Sequence, residues 1–185
     1  QELIALAKSK PGLLNYATSG SGTITHLASE LFHITARIKM QHIPYKGGAQ
    51  VATDLMGGQV HLAIQPLIFA IPHIKSGKLK AIAVTGESRF SALPQVPTFR
   101  EARLSGLDVK TWIGVLAPAR TSKEIIDKLS TEIGGILVMP DSREKMASQG
   151  LDPFFLPAHR FAALIRADMA KWAKVIKIAN IKIEN

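Results

Sequence analysis

The sequence predicts an α/β fold. Two observations carry this. Short apolar stretches alternate along the whole chain with longer stretches of helical periodicity, the pattern of helices packed on a mostly parallel sheet. Most junctions are punctuated by Gly or Pro, with no internal repeat and no low-complexity segment.

Taken in order, Glu2 to Lys10 is a predicted amphipathic helix with Leu3, Leu6 and Ala7 inward, ended by Pro11-Gly12. Leu14–Ala17 is a predicted strand, followed by the small-residue loop Thr18-Ser19-Gly20-Ser21-Gly22-Thr23 and a helix over Thr25–Thr35. In that helix Ile24, Leu27, Ala28, Leu31 and Phe32 form one apolar stripe. Lys39–Ile43 is the next predicted strand, running into Pro44-Tyr45-Lys46-Gly47-Gly48. A helix from about Ala49 turns Val51, Ala52, Leu55 and Met56 to one face and ends at Gly57-Gly58. Val60, Leu62 and Ile64 alternate with His61, Ala63 and Gln65, a strand with one apolar face. A short helix reaches Ser76-Gly77, and Leu79–Val84 reads as a buried strand.

Thr98 and Glu101 have capping-box spacing after a proline-marked turn. Val109–Ala117 is a predicted strand. Thr121 and Glu124 form a second capping box, opening a long helix with Ile126, Leu129, Ile133, Ile136 and Leu137 inward. Asp141 and Glu144 repeat the device for a short helix ending at Gly150. Leu151–Leu156 is a predicted strand, and the last helix carries Phe161, Leu164, Ile165, Trp172, Val175 and Ile176.

Composition bounds the function. At 185 residues and 46% hydrophobic content the chain can bury a core. The mean hydropathy is +0.14, and no apolar run approaches the roughly 18 residues of a membrane span. The absence of cysteine excludes disulfides and thiolate chemistry. The net charge of +9 comes from scattered Lys and Arg without interleaved aromatics, which reads as a solvated basic surface; a nucleic-acid-binding module is the alternative. There is no G-x-S-x-G, no P-loop and no third glycine of a dinucleotide loop. The six histidines, His26, His33, His42, His61, His73 and His159, form no metal-ligand spacing with a nearby carboxylate. No metal, cofactor or catalytic residue is therefore expected. A serine hydrolase using Ser19 or Ser21 with His26 lacks an orienting acid close by.

The loop after the first strand is the candidate site. Gly20 and Gly22 let backbone approach a ligand, and the first-turn N–H groups of the following helix lack intrahelical partners. Those donors and the helix dipole favour a carboxylate or phosphate. The plainer reading is a βα loop whose hydroxyls cap the helix. Gln65-Pro66 should lie near Thr18 if both strands are parallel in one sheet, because ligands in such sheets bind beyond the carboxyl ends of the strands.

Several motifs in one order then point to a family. They are Asn15-Tyr16-Ala17-Thr18-Ser19-Gly20-Ser21-Gly22 with His26-Leu27-Ala28-Ser29-Glu30-Leu31, Pro44-Tyr45-Lys46-Gly47-Gly48, and Asp54-Leu55-Met56-Gly57-Gly58-Gln59-Val60. Ile74-Lys75-Ser76-Gly77-Lys78-Leu79, Leu93-Pro94-Gln95-Val96-Pro97-Thr98-Phe99 and Trp112-Ile113-Gly114-Val115-Leu116-Ala117-Pro118 complete the set. Over essentially its whole length the chain resembles the Bug family of bacterial periplasmic solute-binding proteins, the receptor component of tripartite tricarboxylate transporters. The resemblance implies a periplasmic-binding-protein-like (type II) two-lobed fold that holds a small mono- or dicarboxylate in an interlobe cleft and delivers it to membrane subunits. No nucleic acid is expected as a partner.

Carried over residue by residue, the ligand loop is Thr18, Ser19, Gly20, Ser21, Gly22 and Thr23, with Thr25 and His26 beside it and Tyr45, Gln65 and Pro66 as further candidates. For Tyr45 the alternative is an aromatic packed on its lobe, for Gln65 a solvated strand end, and for His26 a surface or capping residue. Relatives commonly carry acids where this chain has His61 and Gln65, and glycine where it has Arg103 and Arg120. Family members also begin with further strands and helices. Residues 1–111 are thus expected to be a nearly complete second lobe and 112–185 the returning part of the first, which is incomplete in this chain.

Overall fold

The structure is a computed structural model that describes residues 1–182. It divides into two compact units, 1–111 together with the chain from Lys174, and 112–173.

The first unit is built on a parallel three-stranded sheet of order β2-β1-β3, with β1 Asn15–Thr18, β2 Gln41–Pro44 and β3 Leu62–Ala63. Helix α1 (Glu2–Ser9) precedes the sheet, α2 (Ile24–Ala36) links β1 to β2, α3 (Gly48–Met56) links β2 to β3, and α4 (Leu67–Lys75) follows. These are successive βαβ connections, so all three strands point their carboxyl ends the same way. Register pairs Tyr16 with His42 and Leu62, and Thr18 with Pro44.

The central strand separates two apolar layers. On one side Ala7, Leu14, Phe32, Ala36, Ile38 and Leu107 form a cluster under α1 and α2. Ala17, Val51 and Val60 form another against α3. Alternation along a strand puts Tyr16 and Thr18 opposite Ala17, on the α2 side. A third cluster joins Ile71 of α4 to Leu93 and Val96.

Several expected elements differ. In α1 only Ala7 is buried, and Leu6 is 44% exposed rather than inward. The Leu79–Val84 segment forms no strand. Its ladder is a single parallel bridge, Val84 with Thr98, and Ile82 is 56% exposed. A buried strand needs neighbours along both edges, and this segment has one partner at one residue only. The Thr98–Glu101 box does form: Thr98 N–H donates to Glu101 Oε2 at 2.7 Å and Glu101 N–H to Thr98 Oγ1 at 3.1 Å. It closes a series of turns, not a helix. Arg103 takes φ +63°, the conformation anticipated for a glycine-like position, whereas Arg120 does not.

The second unit consists of α5 (Lys123–Val138), α6 (Pro140–Ser148) and most of α7 (Ala158–Ile178), with extended connections. The cap of α5 is Ser122, not Thr121; its Oγ accepts from Ile125 N–H at 3.5 Å. Helix α6 starts on Pro140 as its first residue, so the Asp141–Glu144 box is not used. Neither 109–117 nor 151–156 is a strand. No residue of 112–173 is fully buried, and Ile113, Val115 and Leu116 are 72–81% exposed. Without a paired neighbour their backbone has no ladder to join, whatever its apolar pattern. Trp112 is tied down locally: its Nε1–H donates to Asp168 Oδ2 at 2.6 Å and its ring meets Phe161 edge-on at 5.1 Å.

Candidate functional site

The loop after β1 sits at the carboxyl ends of the parallel strands and leads directly into α2. Its conformation is held by its own hydroxyls. Ser19 N–H donates to Thr25 Oγ1 at 2.9 Å, and Gly20 N–H to Thr18 Oγ1 at 3.4 Å. Thr23 donates from Oγ1 to Gly20 O at 2.7 Å and shares a 2.9 Å bond with Thr25 Oγ1. Gly22 N–H donates to Nδ1 of His26 at 3.1 Å. Gly20 and Gly22 take φ +137° and +75°, and a Cβ on Gly20 would lie 3.3 Å from the Tyr45 carbonyl. Only glycine gives that close approach with that backbone.

The expected site residues separate into three groups. Thr18, Ser19, Gly20, Ser21, Gly22 and Thr23 form the loop, with Ser21 exposed and Thr18 buried. Gln65 joins them: Ser19 Oγ donates to Gln65 Oε1 at 3.2 Å, and Gln65 Nε2 is a buried donor with no partner among the described residues. Pro66 starts α4 beside it. Thr25 and His26 are 4% and 8% exposed and bond to the loop from behind. Tyr45 donates its N–H to Thr18 O at 2.9 Å, but its hydroxyl goes to Asp54 Oδ2 at 2.8 Å and its ring packs on the Ala17–Val51 cluster. His61, paired in sequence reasoning with Gln65, bonds Asn15 at the far end of β1, 2.9 Å from His61 N–H to Asn15 Oδ1. Only Gln65 of that pair touches the loop. Among the described residues no side chain caps α2, which leaves the N–H groups of Ile24, Thr25 and His26 uncapped at the end of the loop.

Behind the loop lies a polar cluster, part buried and part half-buried, that the sequence reading missed. His26, Glu30 and His33 fall at i, i+4 and i+7 on α2, one helical face. That face meets Tyr16 and Thr18 of β1 and His42 of β2. His42 is stacked between His26, ring centroids 4.0 Å apart, and Tyr16, 5.0 Å apart. His42 Nε2 and Thr18 Oγ1 share a 2.7 Å hydrogen bond. Tyr16, 1% exposed, donates its hydroxyl to Glu30, and His33 Nδ1 lies 3.2 Å from the same carboxylate oxygen. Burial drives the electrostatics. It lowers His42 to about 4, with the neighbouring His26 adding to it, and lowers His26 also, with Glu30 opposing. Burial and the Glu30 bond raise the Tyr16 phenol. Burial would raise Glu30, but its bonds with His33 and Tyr16 outweigh it and hold the carboxyl below its ordinary value. Among the described residues no group of three or more His, Asp or Glu side chains converges as a metal requires, and no helix is long and apolar enough to cross a membrane.

The solved structures of similar fold place this parallel-sheet chain among the periplasmic solute-binding proteins. Rpa4515 of R. palustris, solved with adipate, superposes with a TM-score of 0.90 at 33% identity, over 97% of this chain and 60% of that one. The periplasmic binding protein BugD gives 0.84 at 30% identity over 99% and 62%. MatC of Rhodopseudomonas palustris, solved with malate, gives 0.83 at 28% over 95% and 60%. Residues 1–181 match the TctC family, the tripartite tricarboxylate transporter family receptor, and the chain belongs to it. Among curated relatives, BugT of Bordetella pertussis is 31% identical over 98% of this chain and 56% of its own length. A UPF0065 protein from the tcbD-tcbE intergenic region of Pseudomonas sp. strain P51 is 33% identical over 95% and 52%. The chain thus spans about half the length of these curated relatives.

Proposed function

We propose that the protein is a non-enzymatic periplasmic receptor that captures a small mono- or dicarboxylate at the 18–23 loop and delivers it to the membrane subunits of a tripartite tricarboxylate transporter. The observation that carries the reading is the loop itself. Exposed Ser21, the uncapped N–H groups of α2 and the unpartnered Gln65 Nε2 are donors gathered at one strand edge, without a neighbouring acid among the loop residues. Donors without acceptors select an anion. The adipate and malate of the two R. palustris structures supply the ligand class. Gln65 is uncharged and offers no counter-charge for an ammonium group, which favours carboxylates without an amine. In this reading residues 1–111 belong to one ligand-binding lobe and the segment from Trp112 to the other. Calorimetric titration with adipate, malate and glutamate tests it. Adipate or malate is expected to bind and glutamate to bind at least tenfold more weakly; preference for the amino acid would overturn it.

A further inference from the structure

We propose that the stacked pair His26 and His42 is a positioning device for the 18–23 loop and makes anion capture there proton-linked: neutral rings hold the loop in its binding form, and proton uptake releases it. The inference rests on the reading of that loop as the carboxylate site.

Two bonds set the device. Nδ1 of His26 accepts the Gly22 N–H at 3.1 Å, so that nitrogen carries no proton and the ring is the neutral Nε2–H tautomer. Protonation turns the acceptor into a donor, and the bond is lost. Nε2 of His42 meets Thr18 Oγ1 at 2.7 Å, and the same hydroxyl oxygen accepts the Gly20 N–H. The two rings thus hold the loop near both of its ends.

Their mutual geometry makes the hold sensitive to charge. At 4.0 Å and 16° between planes, a proton on one ring opposes a proton on the other. The groups facing the pair are Tyr16 from β1, and Glu30 and His33 from α2. Glu30 is the one acid among them, and it is already engaged by Tyr16 and His33. It favours a cation on the rings but has no bond to either. Burial outweighs it and holds both rings below the ordinary histidine value, so they are neutral at pH 7, and a proton on His26, which ends its acceptor role, is the perturbation that opens the loop.

The test uses the 185-residue chain in two arms. In the first, nitrogen-edge NMR of labelled histidine reads the His26 tautomer, and the Gly22 amide is followed from pH 8 to 4.5 without ligand. The Nε2–H tautomer is expected, with the Gly22 amide moving at the His26 midpoint. An Nδ1–H tautomer, or a Gly22 amide that ignores the His26 titration, overturns the proposal. In the second arm adipate affinity is measured at pH 7.5 and 5.0. His26→Leu is expected to weaken adipate about tenfold at pH 7.5, the loss of one buried hydrogen bond. His26→Asn restores an acceptor that cannot titrate, so it should recover part of that loss and show a smaller fall at pH 5.0 than the wild type. The protonation of adipate itself is common to all proteins compared. Equal falls in wild type and His26→Asn overturn the linkage. If neither adipate nor malate binds the wild type, the carboxylate reading falls and takes the anion-capture half with it. The first arm still decides whether the rings lock the loop.

Discussion

Replacing Tyr16 with Phe removes one hydroxyl from a residue that is 1% exposed and leaves its ring in place. The hydroxyl's partner is Glu30, whose side chain is 21% exposed and whose remaining protein bond is to His33. A hydrogen bond to a charged group contributes about 1.5–3 kcal/mol. Partial access of water to Glu30 in the variant should hold the loss to the lower half, about 1.5–2 kcal/mol at pH 7.5. The sign of the pH dependence follows from Glu30. Its folded carboxyl lies below the ordinary 4.5, so its contribution is present above pH 4.5 and is lost as pH falls through the folded value. Removing the Tyr16 bond brings that value back up, so the difference between wild type and Y16F should narrow below pH 4.5. Urea unfolding reads the loss, but the probe matters. Both tryptophans, Trp112 and Trp172, lie in the second unit, so a probe inside the first unit is needed. Amide exchange at Ala17 and Thr18 provides one. A double-mutant cycle with Glu30→Gln should give a coupling near 1 kcal/mol. Additivity within about 0.3 kcal/mol would refute the account of a charge-assisted pair.

Two further outcomes are expected. His42 and His26 bind protons more weakly folded than unfolded, so stability should be greatest above pH 6.5 and fall as pH drops from there toward 4, where His42 titrates in the folded chain; urea midpoints unchanged between pH 7.5 and 5 would contradict the buried neutral pair. Ser21 is exposed while the Thr23 hydroxyl is spent on Gly20 O and Thr25; Ser21→Ala should therefore change adipate affinity alone, whereas Thr23→Ala should also lower stability by about 1 kcal/mol, and equal stability of the two variants would show that the Thr23 bonds do not hold the loop.

The first unit was largely legible because its signals are local. The apolar stripe of α2, the small residues of 18–23 and the glycines after α3 each act within a few residues of themselves. The candidate site was half legible for the same reason: spacing brought Gln65 beside the 18–23 loop, but it grouped His61 with Gln65, although the two are at opposite ends of the strand. The polar cluster escaped because its halves lie on different elements. His26, Glu30 and His33 show helical spacing on α2, yet what buries them is Tyr16, Thr18 and His42, brought alongside by strand register. Beyond Val84 the apolar pattern was read as strand, but a strand exists only where another pairs with it. The exposure of Ile113, Val115 and Leu116 marks where pattern lacked that partner.

The hydrogen bonds inside the loop bear on how it can bind. Four of its donors, the N–H groups of Ser19, Gly20, Gly22 and Thr23, already have acceptors within the loop, His26 or Thr25. Handing such a donor to a ligand exchanges one bond for another and gains little. If the loop is the carboxylate site, as proposed, the favourable part of capture comes from donors that have no partner among the described residues. These are the exposed Ser21 hydroxyl, the uncapped N–H groups at the start of α2 and the buried Gln65 Nε2. The internal bonds do a different job: they fix where those donors point before the ligand arrives, which lowers the ordering cost of binding. On the proposed reading Ser21, Gln65 and the α2 backbone contact the anion directly, while Thr18, Thr23, Thr25, His26 and His42 act on affinity through the shape of the loop. On that reading, exchanging Gln65 changes which anion is held while His26 and His42 go on shaping the loop.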